Sequence, residues 1–150
     1  MARVLIINGP NLGRLGTRQT SIYGQTSHDD LAKSCVALGE ELGLDVEVWQ
    51  SDAESDIVHW LHEAADTRAH VLLNAAAFTH YSIAVRDACS IATEAGCMLI
   101  EVHLSNPGAR EDFRAVSVIS AVATGTISGF GTGSYLLGLR AVAAKLGQEQ

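Results

Sequence analysis

Short apolar, β-branched runs alternate along this chain with segments of helical period, which predicts an α/β protein built as a three-layer sandwich around a parallel sheet. The runs are apolar throughout instead of alternating, so both faces of the sheet are expected to be covered. A helical segment lies between nearly all consecutive runs, and parallel neighbours need a connection of that length. For five strands joined by right-handed crossovers, the expected order is 2-1-3-4-5.

Each element has its own signal. Residues 3–8 are an apolar run stopped by Gly9 and Pro10, hence a buried strand. Residues 11–26 carry scattered glycines and no apolar period; so long a loop in a small domain is usually functional or mobile. Ser27 is a natural N-cap, followed by Asp29 and Asp30 at the positive end of the helix dipole. Leu31, Cys35, Leu38 and Leu42 keep helical spacing up to Gly43. Strand 44–49, helix 56–66 with Ile57, Trp60, Leu61 and Ala64 on one face, strand 70–74 and helix 82–95 follow, the last closed by Gly96. The fourth strand is expected at 97–102, a turn at 105–108, a short helix at 109–114 and the last strand near 123–127. The last helix spans 133–146, with Leu136, Leu139, Val142 and Leu146 in period.

A length of 150 residues fits one catalytic domain, 1–150. With 47% hydrophobic and 18% charged residues, order is expected everywhere except at 147–150. A net charge of −7 argues against a nucleic-acid or membrane surface. It leaves room for a small anion held by arginines, of which there are eight against two lysines, Lys33 and Lys145. Both lysines fall on expected helix surfaces, which removes the usual means of a Schiff-base route. Cys35, Cys89 and Cys97, odd in number and without Cys-x-x-Cys spacing, read as reduced thiols of a cytoplasmic protein. The first residues are too short an apolar run for a signal peptide, and no stretch reaches membrane-span length.

Ligands of such sheets bind beyond the carboxyl ends of the strands. Polar residues collect there. Asn8, Asn11, Arg18 and Tyr23 follow the first strand; Asn74, Thr79 and His80 follow the third; Glu101, His103, Ser105, Arg110 and Arg114 belong to the fourth. Locally, Asn8 and Asn11 also fit a turn, Asn74 a helix start, Tyr23 packing and Arg18 a solvated charge. Glu101 and His103 are more specific, because residues two apart on a strand point the same way and the carboxylate can orient the imidazole. His59 and His62 have no third ligand and no zinc spacing. His28 and His70 carry no signal. Gly129-x-Gly131-x-Gly133 lacks the third glycine of a dinucleotide loop, Ser134 standing there, and reads as a tight turn with close helix packing.

Several motifs, in order, carry a resemblance: Asn8-Gly9-Pro10-Asn11-Leu12, Leu15-Gly16-Thr17-Arg18, Tyr23-Gly24, residues 74–80 with Ser82, Arg86-Asp87-Ala88, Glu101-Val102-His103-Leu104-Ser105-Asn106 and Arg110-Glu111-Asp112-Phe113-Arg114. Over nearly the whole chain these resemble type II 3-dehydroquinate dehydratase. The resemblance implies a flavodoxin-like fold without flavin, a homododecamer built from trimers, no metal, no cofactor, and the third step of the shikimate pathway. It implies Tyr23 as the base, Arg18 as a lid arginine, Asn11 as the residue that settles the enolate, and His103 as general acid supported by Glu101. Asn74, His80, Arg114 and the backbone at Leu104 and Ser105 match substrate-holding positions, and Asp87 matches a residue reaching a neighbouring subunit's site. Residues 19–22, Tyr81 and Pro107-Gly108 depart from the usual family pattern at the lid and pocket rim. On the residues alone two alternatives stay open: a family-fold member of altered substrate or lost activity, and a flavodoxin-like ligand-binding protein. Against the second, 5% aromatic residues leave little to sandwich a flavin.

The chemistry suits these residues. Loss of water β to a ketone starts with removal of an α-proton, and the carbanion is held as an enolate. Free tyrosine ionises near pH 10, so a tyrosine base needs a cation beside it, and Arg18, five residues away on the same loop, is expected to be that cation. Hydroxide leaves poorly without a proton, which an imidazole steadied by a carboxylate can supply. A preorganised amide donor toward the enolate oxygen completes the set.

Overall fold

The structure is a computed structural model that describes residues 1–148. Five strands, β1 (Ala2–Asn8), β2 (Leu44–Gln50), β3 (His70–Asn74), β4 (Leu99–His103) and β5 (Gly125–Ser128), pair in parallel in the order β2-β1-β3-β4-β5. This is the expected order. Helices α2 (His28–Leu42) and α5 (Gly133–Gln148) cover one face, and α3 (Glu54–Thr67) and α4 (Ile83–Glu94) the other. Alternate residues of the apolar strands feed the two cores: Val4, Ile6 and Leu72 meet Leu31, Cys35, Leu139 and Val142, whereas Leu5, Ile7 and Leu73 meet Ile57, Leu61 and Val85. Among the described residues no helix is long and apolar enough to cross a membrane.

Side-chain caps open two of the helices. Ser27 Oγ accepts from Asp30 N at 3.1 Å to open α2, and Ser82 Oγ accepts from Val85 N at 3.0 Å to open α4. Both lysines lie exposed on helices, Lys33 on α2 and Lys145 on α5. The end of α3 is less favourable, since Arg68 takes a left-handed φ of 56° that glycine adopts freely. Arg68→Gly is therefore expected to raise stability by about 0.5–1 kcal/mol, read as a higher midpoint in thermal unfolding. An unchanged or lower midpoint would show that the arginine's other contacts outweigh the strain.

Some expectations need correction. β4 starts at Leu99, not at residue 97. Cys97 N is tied to Ala92 O at 3.1 Å, closing α4, and Met98 N is taken by the His70 ring at 3.0 Å. β5 starts at Gly125, because Ser120–Val122 form a 3-10 turn before it. The short helix expected at 109–114 is two 3-10 turns, Pro107–Ala109 and Asp112–Ala115. The loop 11–26 is partly ordered by a 3-10 turn at Leu12–Arg14 and by α1 (Thr20–Tyr23), with Leu12 and Leu15 sunk in the core. Gly147 and Gln148 belong to α5, while the rest of the end expected to be unstructured, residues 149 and 150, lies outside the described residues.

The glycine loop before α5 is a turn, as expected, with φ of 96° at Gly129 and 59° at Gly131. Close helix packing falls elsewhere, on Gly138, where an added Cβ would lie 2.8 Å from Leu72 Cδ2. Gly9 has the same role at the site: a Cβ there would meet Ala75 O at 2.7 Å, and its N–H donates to Asn74 O at 2.8 Å. The ends of β1 and β3 are thus drawn together.

Candidate active site

One cleft opens at the carboxyl ends of β1, β3 and β4. The turn after β1 contributes Asn11, whose φ of 70° is one that asparagine tolerates better than most residues. Its N–H donates to Asp52 Oδ1 at 2.9 Å, and Gln50 Nε2 bridges Asp52 Oδ1 (3.1 Å) and Gly9 O (3.2 Å). The end of β2 thereby holds the turn. From the loop come Arg18 and Tyr23, the latter packed half-buried against the core. β3 ends in Asn74, and His80 lies just beyond it. β4 ends in His103, with Leu104 and Ser105 at the wall and Arg114 following.

The Tyr23 phenol sits between two arginines. Arg110 Nη1 donates to its hydroxyl oxygen at 2.6 Å, and its guanidinium lies 5.2 Å from the ring centre. Arg18 lies 5.5 Å from that centre. Sequence spacing had pointed to Arg18 as the cation for this phenol; the hydrogen bond belongs to Arg110, on the other wall. Arg110→Ala is expected to slow turnover about 10–100-fold, the worth of one charged hydrogen bond, and more than Arg18→Ala does. Comparing kcat of the two variants checks it; an equal or smaller loss for Arg110→Ala would return the role to Arg18.

Glu101 lies under His103, and the Glu101 Oε2 to His103 Nε2 distance is 2.5 Å. The buried carboxylate, only 3% exposed, also accepts from Ser120 Oγ at 2.6 Å and from Ser117 Oγ at 2.9 Å. Burial alone would push its pKa up. The hydrogen bonds from His103 and Ser120, the charge on His103 and the bond from Ser117 together pull it below the usual carboxylate range. Glu101 therefore stays charged and claims the Nε2 hydrogen of His103, leaving Nδ1 as the ring's other hydrogen-bonding atom.

The remaining residues line the cleft or lie away from it. His80 Nδ1 is 2.7 Å from Val116 O. A carbonyl only accepts, so Nδ1 carries the hydrogen. Arg114 Nε lies 2.8 Å from Glu111 Oε2, an ion pair not aligned as a hydrogen bond. Asp87 does not line the cleft; it stands exposed on α4, 3.7 Å from Arg86. His59 and His62 meet edge to face at 6.2 Å, and no third metal-ligating side chain joins them among the described residues.

Sequence reasoning missed Ser117, Ser120, Asp52, Gln50 and Tyr135. Ser117 lies in irregular backbone and Ser120 opens a single 3-10 turn; neither carries periodicity, so nothing local marks them. Asp52 follows the carboxyl end of β2 and was legible from that position alone. Tyr135 was hidden inside an ordinary helical pattern.

Parallel sheet and cleft define an α/β protein with acid–base equipment: a phenol, an imidazole–carboxylate pair and three guanidinium groups. The chain belongs to the class II dehydroquinase family, whose sequence profile matches residues 2–143. It is 57% identical over 143 residues to the 3-dehydroquinate dehydratase of Salinispora tropica, covering 95% of this chain and 98% of that one. It is 50% identical to the enzyme of the same name from Mycobacterium tuberculosis, over 96% of both chains. A crystal structure of type II dehydroquinase from Propionibacterium acnes superposes with a TM-score of 0.92 at 51% identity, covering 96% of this chain and 97% of that one.

Proposed function

We propose that this chain dehydrates 3-dehydroquinate to 3-dehydroshikimate by trans elimination through an enolate, as a hydro-lyase of the shikimate pathway. Family membership supports the reaction. The arginine-held phenol facing an imidazole–carboxylate pair across one cleft is the observation that supports the mechanism.

The ring carries its ketone at C3, and C1 bears both a hydroxyl and the carboxylate. Tyr23, as phenolate beside Arg110 and Arg18, takes a proton from C2. The electron pair moves into the C2–C3 bond and onto the ketone oxygen, and Asn11 donates toward that oxygen, directly or through water. His103 gives a proton to the C1 hydroxyl, which leaves as water while the enolate collapses to a C1–C2 double bond. Glu101 carries the imidazolium through this step. Asn74, His80 and the backbone at Leu104 and Ser105 hold the hydroxyls, and Arg114 holds the carboxylate. Each proton and each charge in this scheme is handled by a side chain, and the two lysines stand exposed on helices away from the cleft.

In this reading residues 1–150 are a single catalytic domain that assembles as a homododecamer, a tetramer of trimers, with Asp87 completing a neighbour's site. Asp87 is exposed, and so are Tyr81 (61%), Ile83 (56%), Phe113 (62%) and Val116 (61%), apolar surface that a second copy would cover. Localisation is cytoplasmic, supported by three unpaired buried thiols.

The test is ultraviolet absorbance of purified protein with 3-dehydroquinate, with borohydride in a parallel tube. A conjugated-acid signal that survives borohydride is expected. No signal from folded, oligomeric protein would favour a family member of altered substrate.

A further inference from the structure

Behind the cleft floor runs a line of hydrogen bonds that the scheme above does not use. Ala76 N–H donates to Asn74 Oδ1 at 3.1 Å, and Asn74 Nδ2 donates to the Tyr135 hydroxyl at 2.9 Å. That hydroxyl donates to Asn8 Oδ1 at 2.6 Å, and Asn8 Nδ2 lies 3.0 Å from His28 Nε2. Asn8 and Tyr135 are fully buried, and Asn74 is 4% exposed.

The direction of this line is forced. A backbone N–H only donates, so Asn74 must turn its oxygen to Ala76. Its nitrogen then faces Tyr135, whose single hydroxyl hydrogen must go to Asn8. The Asn8 nitrogen in turn faces His28, so Nε2 of that ring must be a lone pair and Nδ1 must carry the hydrogen. Running the line backwards would set two donors against each other at Ala76. Burial, the larger influence on His28, lowers its pKa, and Asp29 acts against it more weakly, which agrees with a neutral ring. Tyr135, fully enclosed, has its pKa pushed up by burial, so it keeps the proton the line needs.

We infer that Tyr135 and His28 are positioning residues for substrate binding: the line they complete fixes Asn74 with one amide hydrogen on Tyr135 and the other offered to a substrate oxygen in the cleft. This rests on the reading of Asn74 as a substrate-holding residue. A line serving only the core would leave substrate affinity indifferent to its far end, which lies at the start of α2.

Two kinds of measurement test it. Imidazole nitrogen NMR at neutral pH, with His28 assigned by loss of its signal in His28→Gln, is expected to show a neutral ring with hydrogen on Nδ1. Hydrogen on Nε2, or a charged ring, overturns the inference whatever the activity. In kinetics, Tyr135→Phe is expected to raise KM about 10-fold with kcat within about threefold, because it loosens a binding contact. His28→Leu should raise KM in the same direction, and His28→Gln, whose amide oxygen keeps an acceptor near Nε2, should stay near the parent. Unchanged KM in folded Tyr135→Phe and His28→Leu, or equal losses in His28→Gln and His28→Leu, also overturns it. If Tyr135→Phe fails to fold, the His28 pair and the tautomer decide. If the parent chain does not turn over 3-dehydroquinate, the functional reading falls, and the tautomer alone then decides the direction of the line.

Discussion

Tyr23→Phe is expected to lower kcat by about 10²–10⁴-fold, the usual worth of a positioned general base, with KM within a few-fold of the parent. Phenylalanine keeps the ring, and with it the packing against the core and the stacking of Arg18 and Arg110 on its face. What it loses is the oxygen that Arg110 holds at 2.6 Å. The substitution leaves Asn74, His80 and Arg114, the proposed substrate-holding residues, in the cleft lining, so the loss should fall on kcat. A second readout separates base from bystander. If Tyr23 removes the C2 proton, the variant should also lose exchange of that hydrogen with deuterated solvent. Activity within a few-fold of the parent, or exchange at the parental rate, would take the base assignment away from Tyr23.

The same residue shows what the chain made legible and what it did not. Strand order followed from local facts, apolar runs and helical segments between them, and the observed β2-β1-β3-β4-β5 sheet agrees with it. The three polar clusters met in one cleft because they end β1, β3 and β4, which the parallel order makes neighbours. Glu101 and His103 were legible as a pair because strand geometry puts them on one side. The partner of Tyr23 was not, since Arg110 reaches it across 87 residues of sequence and spacing favoured Arg18, five residues away. Tyr135 and Asn8 are 127 residues apart, and nothing local ties an α5 tyrosine to the end of β1. Boundaries slipped where a side chain or a helix end took a backbone N–H, as the His70 ring does at Met98. Side-chain geometry across distant segments is set by packing, and packing has no period to read.

Glu101 tests whether the pair at the end of β4 works as a unit. Glu101→Ala removes the acceptor of His103, Ser117 and Ser120 at once and leaves their hydrogens unmet in a buried space. Breaking such a buried network by removing one partner costs about 3 kcal/mol, or roughly 10 °C in melting midpoint for a chain of this size. Turnover should fall by about 10²-fold or more, because His103 loses both its orientation and the charge that steadies its protonated form. Glu101→Gln separates the two effects. It preserves the shape and one acceptor oxygen, so stability should largely return, while the missing charge keeps the rate low. The pH dependence has a definite sign. Glu101 has a pKa below its ordinary value of 4.5 in the folded state, so its charge contributes stability that is complete above 4.5 and is lost as pH falls through the lower folded value. The stability gap between the parent and Glu101→Gln should therefore narrow as the medium is acidified below 4.5. A gap that stays constant across that range would mean that the carboxylate's charge adds nothing to folding. Full turnover in Glu101→Gln would mean that a neutral acceptor is enough to hold His103, and that it needs no anion behind it to act as the acid.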